Sequence, residues 1–232
     1  IIDITAAGSP DAVFSAVAPL ADAAGGALTV LASGFLGENP GLPGFGLLAV
    51  FPDGASTLLP AATANVQVIH NSPDPAAATV DIYINGQEGD APTLPGVPFR
   101  GATGFLPLPA GEESIVTVVP EGGAIADGAA FPFTLDPLVN YQLIATGVLS
   151  DGLPANPEEI STDFVLLARD GALIQTSSMN EVGVSVVHGS PDAPTVDALV
   201  RGAGIALADD APYQGITPYT IVPPGEYTVD IT

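Results

Sequence analysis

The chain repeats itself, and the repeat is out of phase with the chain. Val66-Gln67-Val68-Ile69-His70-Asn71-Ser72-Pro73-Asp74 returns as Val184-Ser185-Val186-Val187-His188-Gly189-Ser190-Pro191-Asp192, with His188 standing 118 residues after His70. Thr79-Val80-Asp81 returns 116 residues on as Thr195-Val196-Asp197. Leu108-Pro109-Ala110-Gly111-Glu112 returns 114 residues on as Val222-Pro223-Pro224-Gly225-Glu226. The matches keep their order and the drift needs only short loop deletions. Self-similarity at a long fixed spacing constrains architecture before any single residue does, because each copy must be one structural unit.

The second copy runs out at residue 232, and its missing half resembles the beginning of the chain. Ile144-Ala145-Thr146-Gly147-Val148-Leu149 matches Leu31-Ala32-Ser33-Gly34-Phe35-Leu36, and the Asp170-Gly171 pair matches Asp53-Gly54. Residues 66–183 thus read as one complete unit, 184–232 as the front half of a unit and 1–65 as the back half of one.

The division falls inside a strand. Ile1-Ile2-Asp3-Ile4-Thr5 resembles Thr228-Val229-Asp230-Ile231-Thr232, and both match Ser114-Ile115-Val116-Thr117-Val118. Two closed units need that strand twice, whereas the chain carries it three times. Closure within one chain leaves one copy without a slot. Exchange between chains uses the copies at subunit junctions, and a longer covalent array would produce the same junction.

Short alternating or wholly apolar runs predict strands in the complete unit near 66–70, 79–85, 103–108, 113–119, 130–135, 140–149, 162–168 and 172–176. Asn85-Gly86 and Asp170-Gly171 read as tight hairpin turns, since these residues tolerate positive φ. Ser72-Pro73-Asp74 reads as a turn in which proline sets φ and the polar side chains bond nearby amides. Pro107, Pro109 and Pro132 point to sheet edges or strand ends. Only 10–18 and 20–24 read as helix, both short and flanked by Gly or Pro. Eight short strands in one repeat match a β-sandwich of immunoglobulin-like size.

Charge narrows the partners. Asp and Glu number 26 against 3 Lys and Arg, a net charge of -23, and the basic residues are Arg100, Arg169 and Arg201. Phosphate recognition needs a basic face, so nucleic acid is excluded as a partner, and an anionic membrane surface is disfavoured. The acidity suits either a well-solvated secreted protein or one adapted to high salt, where screening relieves repulsion between carboxylates. Cysteine is absent, which removes disulfides, zinc–thiolate sites and cysteine nucleophiles. No stretch is apolar for long enough to span a bilayer as a helix. A chain opening on Ile1 is expected to have lost a signal segment or to be part of something longer.

Val66 to Gly86 and Val184 to Gly202 resemble the opening of the secreted domain-of-unknown-function family 4397, which begins with a strand, His-x-Ser-Pro-Asp-Ala-Pro-x-Val-Asp and a strand ending in Asn-Gly. The first copy supplies His70, Ser72, Pro73, Asp74, Val80, Asp81, Asn85 and Gly86, with Pro75-Ala76-Ala77-Ala78 as a departure. The second supplies His188, Ser190, Pro191, Asp192, Ala193, Pro194, Val196 and Asp197, with Arg201-Gly202 in place of Asn-Gly. The Leu-Pro-Ala-Gly turn at 108–111 fits as well. The resemblance implies tandem exported β-sandwich modules of bacterial and archaeal surfaces, and no activity.

His70, Ser72 and Asp74 contain the residue types of a hydrolytic triad. Triads are assembled from distant segments around an oxyanion hole, whereas these three share one turn and recur at 188, 190 and 192. That repetition suits an ordered turn with capped amides. With two histidines and no cysteine, zinc is not expected. Calcium takes carboxylate and carbonyl oxygens, yet Glu88-Asp90, Glu158-Glu159 and Asp209-Asp210 lack the spacing of a calcium loop, and no cofactor is expected. Gly25-Gly26 and Gly122-Gly123 lack the following Lys-Ser/Thr of a phosphate loop. Tyr83, Tyr141, Tyr213, Tyr219 and Tyr227 could line a sugar platform, but strand tyrosines commonly serve packing.

These readings converge on an extracellular all-β protein of two immunoglobulin-like β-sandwich units, one split between the two chain ends. The expected role is structural, not enzymatic: a subunit of a filament or surface layer that joins copies of itself head-to-tail. The alternative is a secreted adhesion or glycan-binding module with a surface polysaccharide as partner. The expected structural turn residues are His70, Ser72, Asp74, Asp81, His188, Ser190, Asp192 and Asp197. The expected junction strands are Ile1, Ile2, Asp3, Ile4, Thr5 and Thr228, Val229, Asp230, Ile231, Thr232.

Overall fold

β-branched and aliphatic residues in alternation make strands, and Gly and Pro end them. The computed structural model describes residues 1–10, 12–37 and 40–232. The back half contributes β1 (Ile2–Thr5), β2 (Ala12–Ala16), β3 (Thr29–Ser33), β4 (Gly46–Val50) and β5 (Ser56–Leu58). The complete repeat contributes β6 (Thr63–His70), β7 (Thr79–Ile84), β8 (Leu94–Pro98), β9 (Leu106–Pro109), β10 (Glu113–Pro120), β11 (Ala129–Thr134), β12 (Asn140–Thr146) and β13 (Val165–Arg169). The front half contributes β14 (Val182–Val184), β15 (Val196–Val200), β16 (Ile205–Ala211), β17 (Thr220–Val222) and β18 (Val229–Ile231). Helix among the described residues is confined to three short 3-10 turns, Ala21–Ala23, Pro75–Ala77 and Ile125–Asp127.

The chain divides into two compact units: residues 1–65 with 107–114 and 133–139, and residues 66–106 with 115–132 and 140–232. In the first, β1 and β2 pair antiparallel with Ile2 opposite Ala16 and Ile4 opposite Phe14. A second sheet runs β3-β4-β5. Ala16, Leu47, Ala49 and Leu59 form the core, and Ile2, Ile4, Phe14 and Val30 pack against it.

The second unit holds most of the complete repeat and the whole of 184–232. The complete repeat is an all-β sandwich of two four-stranded sheets, ordered β11-β10-β7-β8 and β13-β12-β6-β9. Val66, Val68, Val80, Ile82, Val116, Val118 and Leu143 are buried, each contributing roughly 1.5–3 kcal/mol by leaving water. The front half carries a two-stranded sheet, β14-β17, and a three-stranded sheet, β16-β15-β18. Its core is Ala198, Val200, Leu207, Ala208 and Ala211.

Several local expectations are corrected. Residues 10–18, of which Asp11 lies outside the described residues, carry β2 in place of a helix: Val13 and Phe14 favour a strand, and Ile2 and Ile4 supply a partner. The stretch 20–24 reduces to the 3-10 turn Ala21–Ala23. Residues 172–176 form no strand. β8 is hidden in the sequence because it holds Pro95, Gly96 and Pro98, which are tolerated because β8 lies at a sheet edge. β9 and β11, with their prolines, are edge strands too. Neither Asn85-Gly86 nor Asp170-Gly171 closes a two-residue hairpin, since β8 starts at Leu94 and β14 at Val182. Asn85 has φ +52° and ties β7 to β10, accepting the N–H of Ile115 at 2.7 Å.

Candidate functional site

His70 ends β6, so it continues the inward alternation of Val66 and Val68 and is fully buried. Its Nε2 lies 2.6 Å from the carbonyl oxygen of Ala77. Its Nδ1 accepts the N–H of Ser72 at 3.4 Å. A carbonyl only accepts, so Nε2 carries the ring proton. Burial pushes the imidazole pKa below its ordinary value and outweighs the opposing Ala77 carbonyl, so the ring is held neutral.

The rest of the turn bonds to the end of β12, the neighbouring strand of the same sheet, and to the loop after it. Asn71 donates its N–H to Ala145 at 2.7 Å, and the Ser72 hydroxyl donates to the carbonyl of Gly147 at 2.6 Å. Asp74 accepts the N–H groups of Leu149 and Ser150, both at 2.7 Å, that of Ala76 at 2.8 Å and the Ser150 hydroxyl at 3.0 Å. Burial opposes its charge, but these four bonds outweigh it and hold the carboxyl below the ordinary aspartate range. Asp81 receives the N–H of Gly96 and that of Gly122, both at 2.9 Å. The Ser72 hydroxyl is spent on a carbonyl and all three side chains are buried, so His70, Ser72 and Asp74 do not assemble as a triad.

The receiving loop has its own geometry. Gly147 has φ +84°, and a Cβ there would meet the Asp163 carbonyl oxygen at 2.2 Å. Val148, next along, forms a parallel bridge to Asp163. In the back half, Gly34 has φ +88°, a Cβ would meet the Gly44 carbonyl oxygen at 2.0 Å, and Phe35 forms a parallel bridge to Gly44. Only glycine fits either place.

The second turn repeats the local half of this arrangement. His188 Nε2 lies 2.9 Å from the carbonyl of Pro194, and its Nδ1 accepts the N–H of Ser190 at 3.4 Å. Gln214 donates its N–H to His188 at 2.7 Å, as Arg100 does to His70. Asp197 accepts the N–H of Asp210 at 2.7 Å. Ser190 and Asp192 are exposed, where Ser72 and Asp74 are buried.

The candidate junction strands fall in two different sheets. Val229, Asp230 and Ile231 pair with Val200, Leu199 and Ala198; Thr228 accepts the N–H of Arg201, and Thr232 exchanges bonds with Asp197. In the complete repeat Val116, Thr117 and Val118 pair with Ile84, Tyr83 and Ile82. The structure therefore matches Val229 to Val116, one place on from the sequence match. The Asp230 carboxylate pairs with Arg201, which lowers the pKa of the acid and raises that of the base. At the other end Ile2, Asp3, Ile4 and Thr5 pair with β2, the Asp3 carboxylate accepts the Ser15 hydroxyl at 2.6 Å, and Ile1 is exposed.

Sequence reasoning missed the residues that seat the front half on the complete repeat. Asn156 is buried and donates to the carbonyls of Pro191 at 3.1 Å and Ala193 at 2.9 Å. Glu158 accepts the N–H and hydroxyl of Thr195. Arg169 donates to Ser185 and to the Thr217 carbonyl and lies 4.0 Å over the Tyr219 ring. Arg169 carried a signal as one of three cations and Glu158 as part of an acidic pair, while Asn156 carried none. Among the described residues no three His, Asp or Glu side chains gather as metal ligands. Of the five tyrosines, Tyr83, Tyr141 and Tyr213 are buried and line no exposed platform. An open cleft of about 390 Å³ beside the turns is lined by Asn71, Phe99, Arg100, Val187, Ser190 and Asp192 among others.

A family model described as domain of unknown function (DUF4397) matches residues 55–159 and 182–232, covering both turns. None of the curated proteins matches the chain.

Proposed function

This chain belongs to the DUF4397 family, and on that footing we propose that it is a structural subunit of an extracellular filament or cell-surface layer, without catalytic activity. One observation carries the reading. In the complete repeat β10 has two sheet neighbours, β7 and β11; among the described residues its counterpart β18 has only β15, and its counterpart β1 has only β2. β18 thus presents the edge that a β2 would cover, and β1 presents the edge that a β15 would cover. Unpaired edges recruit strands through main-chain hydrogen bonds. Subunits join head-to-tail, the front half of one completing the back half of the next, and such contacts build an open fibre unless the rotation closes a ring. The acidity supports a solvated extracellular setting. Sedimentation velocity and negative-stain microscopy over a concentration series test this: concentration-dependent filaments are expected, and a chain that stays monomeric throughout defeats the reading.

The cleft favours a second reading, a glycan-binding surface module. The Arg100 guanidinium lies 4.9 Å over the Phe99 ring, beside the Asn71 amide, joining an apolar face to donors suited to sugar hydroxyls or carboxylates. Glycan-array binding that disappears in Arg100→Ala would favour it.

A further inference from the structure

The complete repeat is a template, within the same chain, for contacts that the two half repeats lack. In the template Leu143, Ile144, Ala145 and Thr146 of β12 are all within 2% of full burial. β12 lies between β13 and β6. The bonds from Leu138 to Thr63 and from Asn71 to Ala145 advance together along the two chain segments, the mark of a parallel pair. Gln142 reaches across to Gln67 at 2.8 Å. The Ser72 and Asp74 bonds to Gly147, Leu149 and Ser150 then lock the end of that strand pair.

Each half carries its own side of this arrangement already formed. In the back half, β3 has β4 as its sheet neighbour, and its other edge is unpaired among the described residues. Leu31 is 44% exposed, and Ala32 and Ser33 are exposed, where their counterparts Ile144, Ala145 and Thr146 are buried. The loop that follows keeps the Gly34 bulge, and Phe35 donates its N–H to Pro43 at 3.0 Å as Val148 does to Thr162 at 2.8 Å. In the front half, β14 has β17 as its sheet neighbour. His188 makes the same two ring bonds in its turn as His70 does in the template, and Ser190 and Asp192 lie at the surface. The Asp192 carboxylate has no hydrogen-bond partner among the described residues, in contrast with the four bonds to Asp74.

We infer that the Ser190–Asp192 turn is the specificity lock of the subunit junction and seats in the Gly34 bulge of a second copy of this chain. The inference rests on the head-to-tail reading and adds the residues that select the partner. In the joined state β14 lies beside the partner copy's β3. The Ser190 hydroxyl donates to the carbonyl of Gly34, Gly189 donates its N–H to Ala32, and the Asp192 carboxylate accepts the N–H of Leu36. The occupant is a copy of this chain because the socket demands two features together: a strand that pairs in parallel with β3, and a serine and an aspartate two residues apart directly after it. An aspartate alone would find no strand pairing, and an apolar strand alone would leave the amides unanswered. In a chain of charge -23, a carboxylate directed at main-chain amides also joins subunits without any cation.

Three variants of the full chain test this. Ser190→Ala with Asp192→Ala is expected to raise the concentration at which filaments form at least tenfold, with the melting curve of the dilute protein unchanged because neither side chain is buried. Asp209→Ala, which removes an exposed carboxylate from the same half, is expected to leave assembly unaltered and so controls for net charge. Thr29→Cys with Ser185→Cys places cysteines where the template has Gln142 and Gln67. The natural chain has none, so mild oxidation is expected to give a ladder of covalent multimers. If the natural chain polymerises, but the alanine pair assembles at the same concentration or the cysteine pair yields no ladder, the lock is wrong while head-to-tail assembly stands. If the natural chain never polymerises, both readings fall. A cysteine pair that yields only a disulfide-closed monomer shows closure within one chain and also overturns the lock.

Discussion

The carboxylate of Asp74 holds Ser150 twice, at its main-chain N–H at 2.7 Å and at its hydroxyl at 3.0 Å. A residue of the turn after β6 is thereby fixed to the loop after β12, and the two sheet-forming segments cannot slide past each other. Asp74→Ala removes the acceptor shared by the amides of Ala76, Leu149 and Ser150. A loss of about 3 kcal/mol is expected, read as a lower urea midpoint; a loss below about 0.5 kcal/mol would mean that Asp74 does not hold the two segments together.

Acid should weaken the fold in two stages. His70 is neutral when folded, its pKa lowered from 6.5, so the unfolded chain binds its proton first. Stability is then lost as pH falls from about 6.5 through the folded value. Asp74 also has a lowered pKa; its contribution is complete above the unfolded carboxylate range and is lost at more acid pH. Urea midpoints measured from pH 7.5 to pH 3 should fall in both windows. His70→Gln should be less stable overall yet lack the part of the slope near pH 6 that His70 contributes.

Gly147→Ala should be among the most damaging single changes in the complete repeat. It combines φ +84° with a Cβ 2.2 Å from the Asp163 carbonyl oxygen, and a loss of more than about 3 kcal/mol follows from strain and displaced backbone. Gly152→Ala, at φ +79° with nothing within 4 Å, should cost only the strain of the left-handed conformation, about 1–2 kcal/mol. Equal effects at the two positions would mean that the carbonyl contact is unimportant.

β1 and β18 correspond to the same strand of the template and compete for one slot. If β1 is the strand that fills that slot at the junction, deleting residues 1–5 should shorten filaments or abolish them, while the complete repeat melts as before. Unchanged polymer length by light scattering would remove β1 as the connector.

Thermal stability should rise from low to molar salt, because screening weakens repulsion among 26 acidic side chains opposed by 3 basic ones. A melting temperature that stays flat or falls would detach the charge from a saline setting.

What the sequence by itself determined is local or repeated: the all-β class, the two turns, the strand present three times and the edge prolines. These follow from alternation, from glycine and proline, and from self-comparison, none of which needs a distant partner. The tertiary structure alone decided that Ala12–Ala16 is a strand, since Ile2 and Ile4 pair with it, and that Pro95 and Pro98 belong to one, since β7 supplies its hydrogen bonds. It also decided that Asp74 is buried and bonded to the loop after the neighbouring strand β12 while Asp192, in the same motif, lies at the surface. The two aspartates differ in what comes to meet them: Leu149 and Ser150 are brought to Asp74 by pairing of segments some 75 residues apart in sequence. No local pattern encodes that encounter, because its energy exists only once β6 and β12 have paired.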